Sequence, residues 1–166
     1  TVEETAFDLE VEGSMPPELS GLYVRNGPNP QTAGAAHWFL GDGMLHGVRL
    51  QAGKALWYRN RYVRTPLAEA RKDLFDFGGI PGSENNQSNV AVIHHAGKLL
   101  TTGEVGWPYR IDTSELSTIG AWDFDGRLGT TMTAHPKVDP VTGRMHFFGY
   151  DVLSPTVTYY STTADG

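Results

Sequence analysis

Three short segments, "QAGKALWY", "HAGKLLTT" and "VTGRMHFF", each run from a glycine through a basic residue into an apolar-rich strand. Their glycines, Gly53, Gly97 and Gly143, stand 44 and 46 residues apart. A repeat of about 40–50 residues that carries several strands marks the blade of a β-propeller. At that period the 166 residues hold roughly three to four blades. Propellers close with about four to eight blades of four strands, and an open arc leaves an edge strand at each end. On its own repeat the chain is expected to be an incomplete ring. The alternative is an ordinary meander that reuses one kind of turn.

The rest of the pattern is short, alternating and β-like. "GLYVRNG" predicts a strand closed by an Asn26–Gly27 turn, and "HWFLGDGMLHGVRL" predicts a hairpin with Asp42–Gly43 at its tip, a strong short-range hairpin signal. Strands follow in "ALWYRNRYV", "NVAVIHH", "KLLTTGEV", "PYRI", "STIGAWDF", "RMHFFGYDV" and "PTVTYYS". One helix is expected in "TPLAEARKDLF", with Thr65 as N-cap and Pro66 at the first helical position. "KDLFDFGGIPGSENNQS" is a long polar connection.

Composition narrows function by exclusion. A net charge of −6 with no Lys/Arg cluster argues against nucleic acid. No apolar run approaches the ~18 residues of a membrane span, no signal peptide precedes the fold, and the absence of cysteine fits a reducing, cytoplasmic setting. No G-x-S-x-G, H-E-x-x-H or phosphate-loop motif occurs, so histidine is the metal ligand to consider.

Six histidines are available. His94 and His95 are adjacent in a strand, point to opposite faces and read as structural. With Asp42–Gly43 as the turn, His46 lies opposite Phe39 and His37 falls diagonally on the same face, about 7–8 Å away. Two histidines on a half-buried hairpin explain this pair without a metal, and a metal site remains the alternative. Asp42 is accounted for by turn geometry, and His146 alternates with Phe148 and Tyr150 in a packing role. His135 differs. It precedes Pro136, which disfavours the α region for it and holds it extended, just ahead of the turn Asp139–Pro140–Val141–Thr142–Gly143. That fixes the direction of its ring.

In order along the chain, "GLYVRNGPNP", "HWFLGDGMLHGV", "YVRTP", "SNVAVIHHAGKLLTTGEVGWPYRID" and "TAHPKVDPVTGRMHFFGYD" resemble the N-terminal part of the carotenoid cleavage oxygenases, a family that includes carotenoid-, apocarotenoid-, retinoid- and lignostilbene-cleaving enzymes. The resemblance implies an all-β fold, part of a seven-bladed β-propeller with one short helix, of which residues 1–166 are the N-terminal segment. It implies a mononuclear non-haem Fe(II) held by four histidines from different blades. Carried over by motif, His135 of "AHP" is one of those ligands, and Glu104 of "TTGEVGWPY" is a carboxylate that hydrogen-bonds a ligand histidine. The alternative for Glu104 is a strand-end carboxylate in solvent. Leu40 stands where the family often has Asp before "GDGM", at a position that is no ligand.

The implied function is O2-dependent cleavage of a conjugated C=C bond in a carotenoid or apocarotenoid, or in a stilbene, giving aldehyde or ketone products. The implied partners are the lipophilic substrate, O2 and the rest of the propeller polypeptide, with peripheral membrane contact. No matched motif carries the other three iron ligands, so the 166 residues alone are not expected to be active. A non-catalytic propeller scaffold is the competing reading, because fold alone does not decide function. A metal hydrolase using His37 and His46 ranks below both.

Overall fold

Alternating burial along short apolar runs builds this molecule almost entirely from strands. The computed structural model describes residues 2–31, 37–72, 84–151 and 153–166. Among them, β1 (Glu4–Phe7), β2 (Gly21–Asn29), β3 (Asp42–Gln51) and β4 (Lys54–Tyr62) form an antiparallel sheet in the order β1-β4-β3-β2. β5 (Ala91–His95), β6 (Lys98–Thr102), β7 (Tyr109–Ile111) and β8 (Thr118–Ala121) make a second sheet, paired in chain order. β9 (Lys137–Val138), β10 (Met145–Tyr150) and β11 (Val157–Ser161) make a third, also in chain order.

The middle sheet is covered on both faces, as a propeller blade is. Leu99 and Leu100 are neighbours on β6 and point to opposite sides. Leu99 packs with Leu45, Val63, Tyr109, Ile111 and Leu116 against the first sheet. Leu100 packs with Trp122, Phe124, Leu128, Met132, Met145 and Phe147 against the third. Each such buried leucine contributes about 1.5–3 kcal/mol relative to exposure. This requirement explains why β6 is buried at four consecutive positions, Leu99–Thr102, rather than at alternate ones. The three sheets are blades of a propeller, within the three to four expected.

Two of the expected hairpin tips lie elsewhere. Asn26–Gly27 is no turn: β2 runs on to Asn29, with Asn26 opposite Leu45 and Gly27 opposite Met44. Asp42–Gly43 is no tip either, since it starts β3, and the β3–β4 turn is Ala52–Gly53. Ala52 and Gly53 have φ of 48° and 75°, and Ala96 and Gly97 have 49° and 70°. Positive φ at both central residues is what a tight two-residue hairpin needs, so "AGK" encodes the same turn twice. The repeat is nevertheless partly out of phase. Gly97 and Gly143 sit between the first and second strands of their sheets, whereas Gly53 sits between the second and third of its own.

The helix (α1, Pro66–Ala70) begins as expected. Thr65 is extended, its Oγ1 accepts from the Ala68 amide at 3.1 Å, and Pro66 occupies the first turn. Arg71 closes it in the left-handed region at φ 52°, and residues 73–75 of the expected helix lie outside the described residues. Thr65 is fully buried. Thr65→Ala should therefore lower stability by about 1–2 kcal/mol, read as a shift of the urea midpoint with unchanged slope.

Candidate metal and substrate site

His135 lies on a strap between the second and third sheets. The Thr133 amide donates to the Phe148 carbonyl at 2.9 Å, and the Met132 amide donates to that of Gly106 at 2.9 Å. Thr131 Oγ1 donates to the Tyr150 carbonyl at 2.6 Å, and Thr102 Oγ1 donates to that of Ala134 at 2.9 Å. Met132, Thr133, Ala134 and Pro136 are buried, and His135 between them is exposed. The strap thus holds the backbone and leaves the imidazole pointing outward, without a hydrogen bond among the described residues.

The ring faces a cavity of about 520 Å³. The β6 end supplies Gly103, Glu104 and Val105, and the segment before β5 supplies Gln87, Asn89 and Val90. The first sheet adds Asn26, Gly27 and Pro28, and the 3-10 turn Trp38–Leu40 adds Phe39 and Leu40. The structure therefore brings His135 and Glu104 to one cavity, although 31 positions separate them in sequence. Burial first, and then the Glu104 carboxylate, push the Tyr150 phenol above its ordinary pKa.

The other histidines do separate work. His37 caps the 3-10 turn, its Nδ1 accepting from the Phe39 amide at 3.2 Å. His46 lies opposite Arg25 and Asn60, not Phe39, because the hairpin turns at Ala52–Gly53. Its Nδ1 is 2.8 Å from Tyr58 Oη, and burial followed by the Arg25 charge lowers its pKa. His95 is buried, with Nε2 3.1 Å from the Gly143 carbonyl, and His94 is exposed. His146 Nδ1 meets Tyr159 Oη at 2.6 Å, the packing role expected of it. Among the described residues no three His, Cys, Asp or Glu side chains cluster closely enough to hold a metal.

Asp42 also departs from expectation. It is 8% exposed, and the Gln31 amide donates to its Oδ2 at 3.4 Å. Burial raises its pKa above the ordinary carboxylate value. In that window the folded chain binds more protons than the unfolded one, so stability falls as pH rises from about 4 through the folded pKa. Asp42→Asn removes this loss. The variant should be more stable than wild type at pH 7 and closer to it at pH 4, as compared in urea titrations at both values.

Sequence reasoning missed the segment Asn86–Asn89. All four of its side chains are buried, at 1, 8, 0 and 5% exposure. The available signal was the run Asn85–Asn89, five consecutive uncharged polar residues just before an apolar strand. Amides carry both donor and acceptor and can be satisfied in a dry interior.

The retinal pigment epithelial membrane protein (RPE65) family model matches residues 1–166. A carotenoid cleavage oxygenase of Mycobacterium tuberculosis is 45% identical over 167 residues, covering 97% of this chain and 33% of that protein. The lignostilbene dioxygenase of Pseudomonas brassicacearum is 32% identical with a TM-score of 0.85, over 99% of this chain and 38% of that one. Cobalt-substituted apocarotenoid oxygenase of Synechocystis is 26% identical with a TM-score of 0.81, over 99% of this chain and 40% of that one. The chain spans about a third of the length of the curated relatives it matches. On the family model over all 166 residues and the likeness to these relatives, the chain belongs to the RPE65 family, that of the carotenoid cleavage oxygenases.

Proposed function

We propose that the whole polypeptide is an Fe(II)-dependent oxygenase that cleaves a conjugated C=C bond of a carotenoid or apocarotenoid. One O2 is consumed, the C=C bond breaks, and each of its carbons takes one oxygen atom to become a carbonyl. The observation that carries this reading is the convergence of the His135 imidazole and the Glu104 carboxylate on one cavity with apolar wall residues.

The residues present fit part of an iron site. An imidazole suits iron, and that of His135 is exposed to the cavity with no competing hydrogen bond among the described residues. His135 would hold the metal as one ligand, and the remaining ligands would come from polypeptide beyond these residues. A bound iron supplies the redox chemistry that lets O2 react with a closed-shell alkene. The chain's own contribution is placement. Glu104 would accept from the N–H of a ligand imidazole, fixing its tautomer. Pro28, Phe39, Leu40, Val90 and Val105 would line an extended apolar substrate and keep water from it.

A stilbene substrate is the second reading, supported by the likeness to the lignostilbene dioxygenase at a TM-score of 0.85. Lipophilic substrates of either kind partition into membranes, so the reading extends to a cytoplasmic protein in peripheral contact with a membrane. Among the described residues no helix is long and apolar enough to cross one.

The test is metal analysis of the full-length polypeptide with product analysis on an apocarotenal and on a hydroxystilbene, under air and under nitrogen. Iron near one per chain with carbonyl products only under air is expected. A metal-free protein that cleaves neither substrate would leave the scaffold reading in its place.

A further inference from the structure

Three parts of the cavity wall meet at one buried residue, Thr102 at the end of β6. Its carbonyl accepts from the Val90 amide at 2.9 Å. Its backbone runs on through Gly103 to Glu104. Its Oγ1 donates to the Ala134 carbonyl at 2.9 Å, directly before His135. Val90, Glu104 and His135 all line the cavity, whereas Thr102 is 1% exposed and lies behind them.

Of the two segments that Thr102 joins, β6 is the fixed one. Beside it, Thr101 Oγ1 pairs with Ser88 Oγ at 2.8 Å. A Cβ on Gly103 would lie 3.0 Å from Asn86 Oδ1 and 3.2 Å from the Ser88 amide nitrogen, so the chain there already rests on the segment before β5. The strap has fewer ties close to the imidazole. Its last backbone bonds before His135 are those of the Met132 and Thr133 amides, and after Pro136 it enters β9, Lys137–Val138. Between them the Ala134 carbonyl takes the Thr102 hydroxyl and, among the described residues, no other donor. Ala134 is fully buried, and a buried carbonyl left without a donor is costly. The Thr102 hydroxyl therefore fixes where Ala134 sits and, one residue on, where the His135 side chain begins.

The geometry points to Thr102 as the positioning residue that sets where the His135 imidazole stands relative to Glu104, and so how well it reaches a metal that other ligands also hold. This rests on the oxygenase reading. Thr102 is not a catalytic group, because it does not line the cavity and acts through the strap.

Thr102→Val tests it in the full-length polypeptide, since valine keeps the size and shape and removes the donor. Thr101→Val is the control. Thr101 is just as buried and also gives up a hydroxyl bond, but on the opposite face of β6. Co(II) affinity of the metal-free protein, the visible absorption of the bound cobalt and the urea midpoint are measured on both. Thr102→Val should bind Co(II) roughly tenfold more weakly and shift its absorption, since groups that support a metal ligand are worth about 10–100-fold in affinity. Thr101→Val should lower the urea midpoint comparably and change neither metal readout. Thr102→Ser keeps the donor and should stay within about twofold of wild-type affinity. Unchanged affinity and absorption in Thr102→Val, or an equal loss in Thr101→Val, overturns the proposal. If Thr102→Val does not fold, Thr102→Cys decides by the same readouts, because a thiol is only a weak donor. If wild type binds neither cobalt nor iron, the oxygenase reading falls by itself. The tie is then decided by hydrogen exchange in the metal-free protein. Roughly tenfold faster exchange at the Thr133 amide in Thr102→Val, with no change at the Val90 amide, supports it. An unchanged rate at Thr133, or equal acceleration at Val90, overturns it.

Discussion

His135→Ala in the full-length polypeptide should lose cleavage activity by more than about a hundredfold and most of its bound iron, while its unfolding midpoint stays near that of wild type. The two halves of this expectation come from different observations. The side chain is exposed and makes no hydrogen bond among the described residues, so its removal leaves no cavity and orphans no partner. Surface changes of that kind stay within about 0.5 kcal/mol. What holds the strap is the backbone around it, through Met132, Thr133 and the Ala134 carbonyl. Removing a group that only supports a metal ligand already costs about 10–100-fold, and removing a ligand should cost more. Metal analysis, product formation and thermal unfolding on one preparation check all three. A variant that unfolds early in parallel with its lost activity would make His135 a packing residue. One that stays active would remove it from the metal site.

The extended backbone at His135 could be read from the sequence because its signal is local, whereas its role as a metal ligand was implied only by the resemblance of its "AHP" motif. A proline fixes the residue before it, and the turn at Asp139–Gly143 fixes where the chain goes next. The structure keeps that turn, with the Gly143 amide donating to the Asp139 carbonyl at 2.8 Å. The start of α1 was legible for the same reason, through Thr65 and Pro66. What misled was also local. Asn26–Gly27 and Asp42–Gly43 carry strong turn preferences, and both were overruled by pairing across the whole of β2 and β3. Asn26 instead sends Nδ2 to the Ser88 and Ala91 carbonyls at 2.7 and 3.2 Å. Gly43 is glycine because the second blade approaches it: a Cβ there would lie 2.2 Å from the Ser88 carbonyl oxygen. β1 was not foreseen, since Glu4–Phe7 is completed only by β4, whose partners Asn60 to Trp57 lie far along the chain. The segment Asn86–Asn89 has no periodicity at all, and only the meeting of two blades gives the Gln87 and Asn89 amides their carbonyl partners.

Gly149→Ala should be the most damaging methyl group that can be added near the site. Gly149 sits within β10 opposite Thr158, and its φ lies outside the left-handed region, so conformational freedom is not what it supplies. It supplies space. A Cβ would lie 1.8 Å from the Thr131 carbonyl oxygen and 2.3 Å from Thr130 Oγ1. Thr131 cannot retreat, because its Oγ1 also accepts from the Tyr150 amide at 3.3 Å, and Thr133 is tied to Phe148 on the other side. Overpacking costs about 1–3 kcal/mol, and each strap hydrogen bond broken to relieve it adds about 1 kcal/mol. A total of roughly 3–4 kcal/mol is expected, a large part of a typical 5–15 kcal/mol stability. Gly97→Ala is the control that separates contact from conformation. Gly97 is left-handed at φ 70° and its Cβ would meet nothing within 4 Å, so that change should cost only about 1 kcal/mol. The strap that Gly149 holds leads directly into Ala134 and His135. Whatever fraction of Gly149→Ala folds should therefore also bind iron more weakly, an effect Gly97→Ala should not have. Urea titration and metal affinity on the pair decide the matter, and a Gly149→Ala protein within 1 kcal/mol of wild type would mean that the strap yields where its hydrogen bonds say it is fixed.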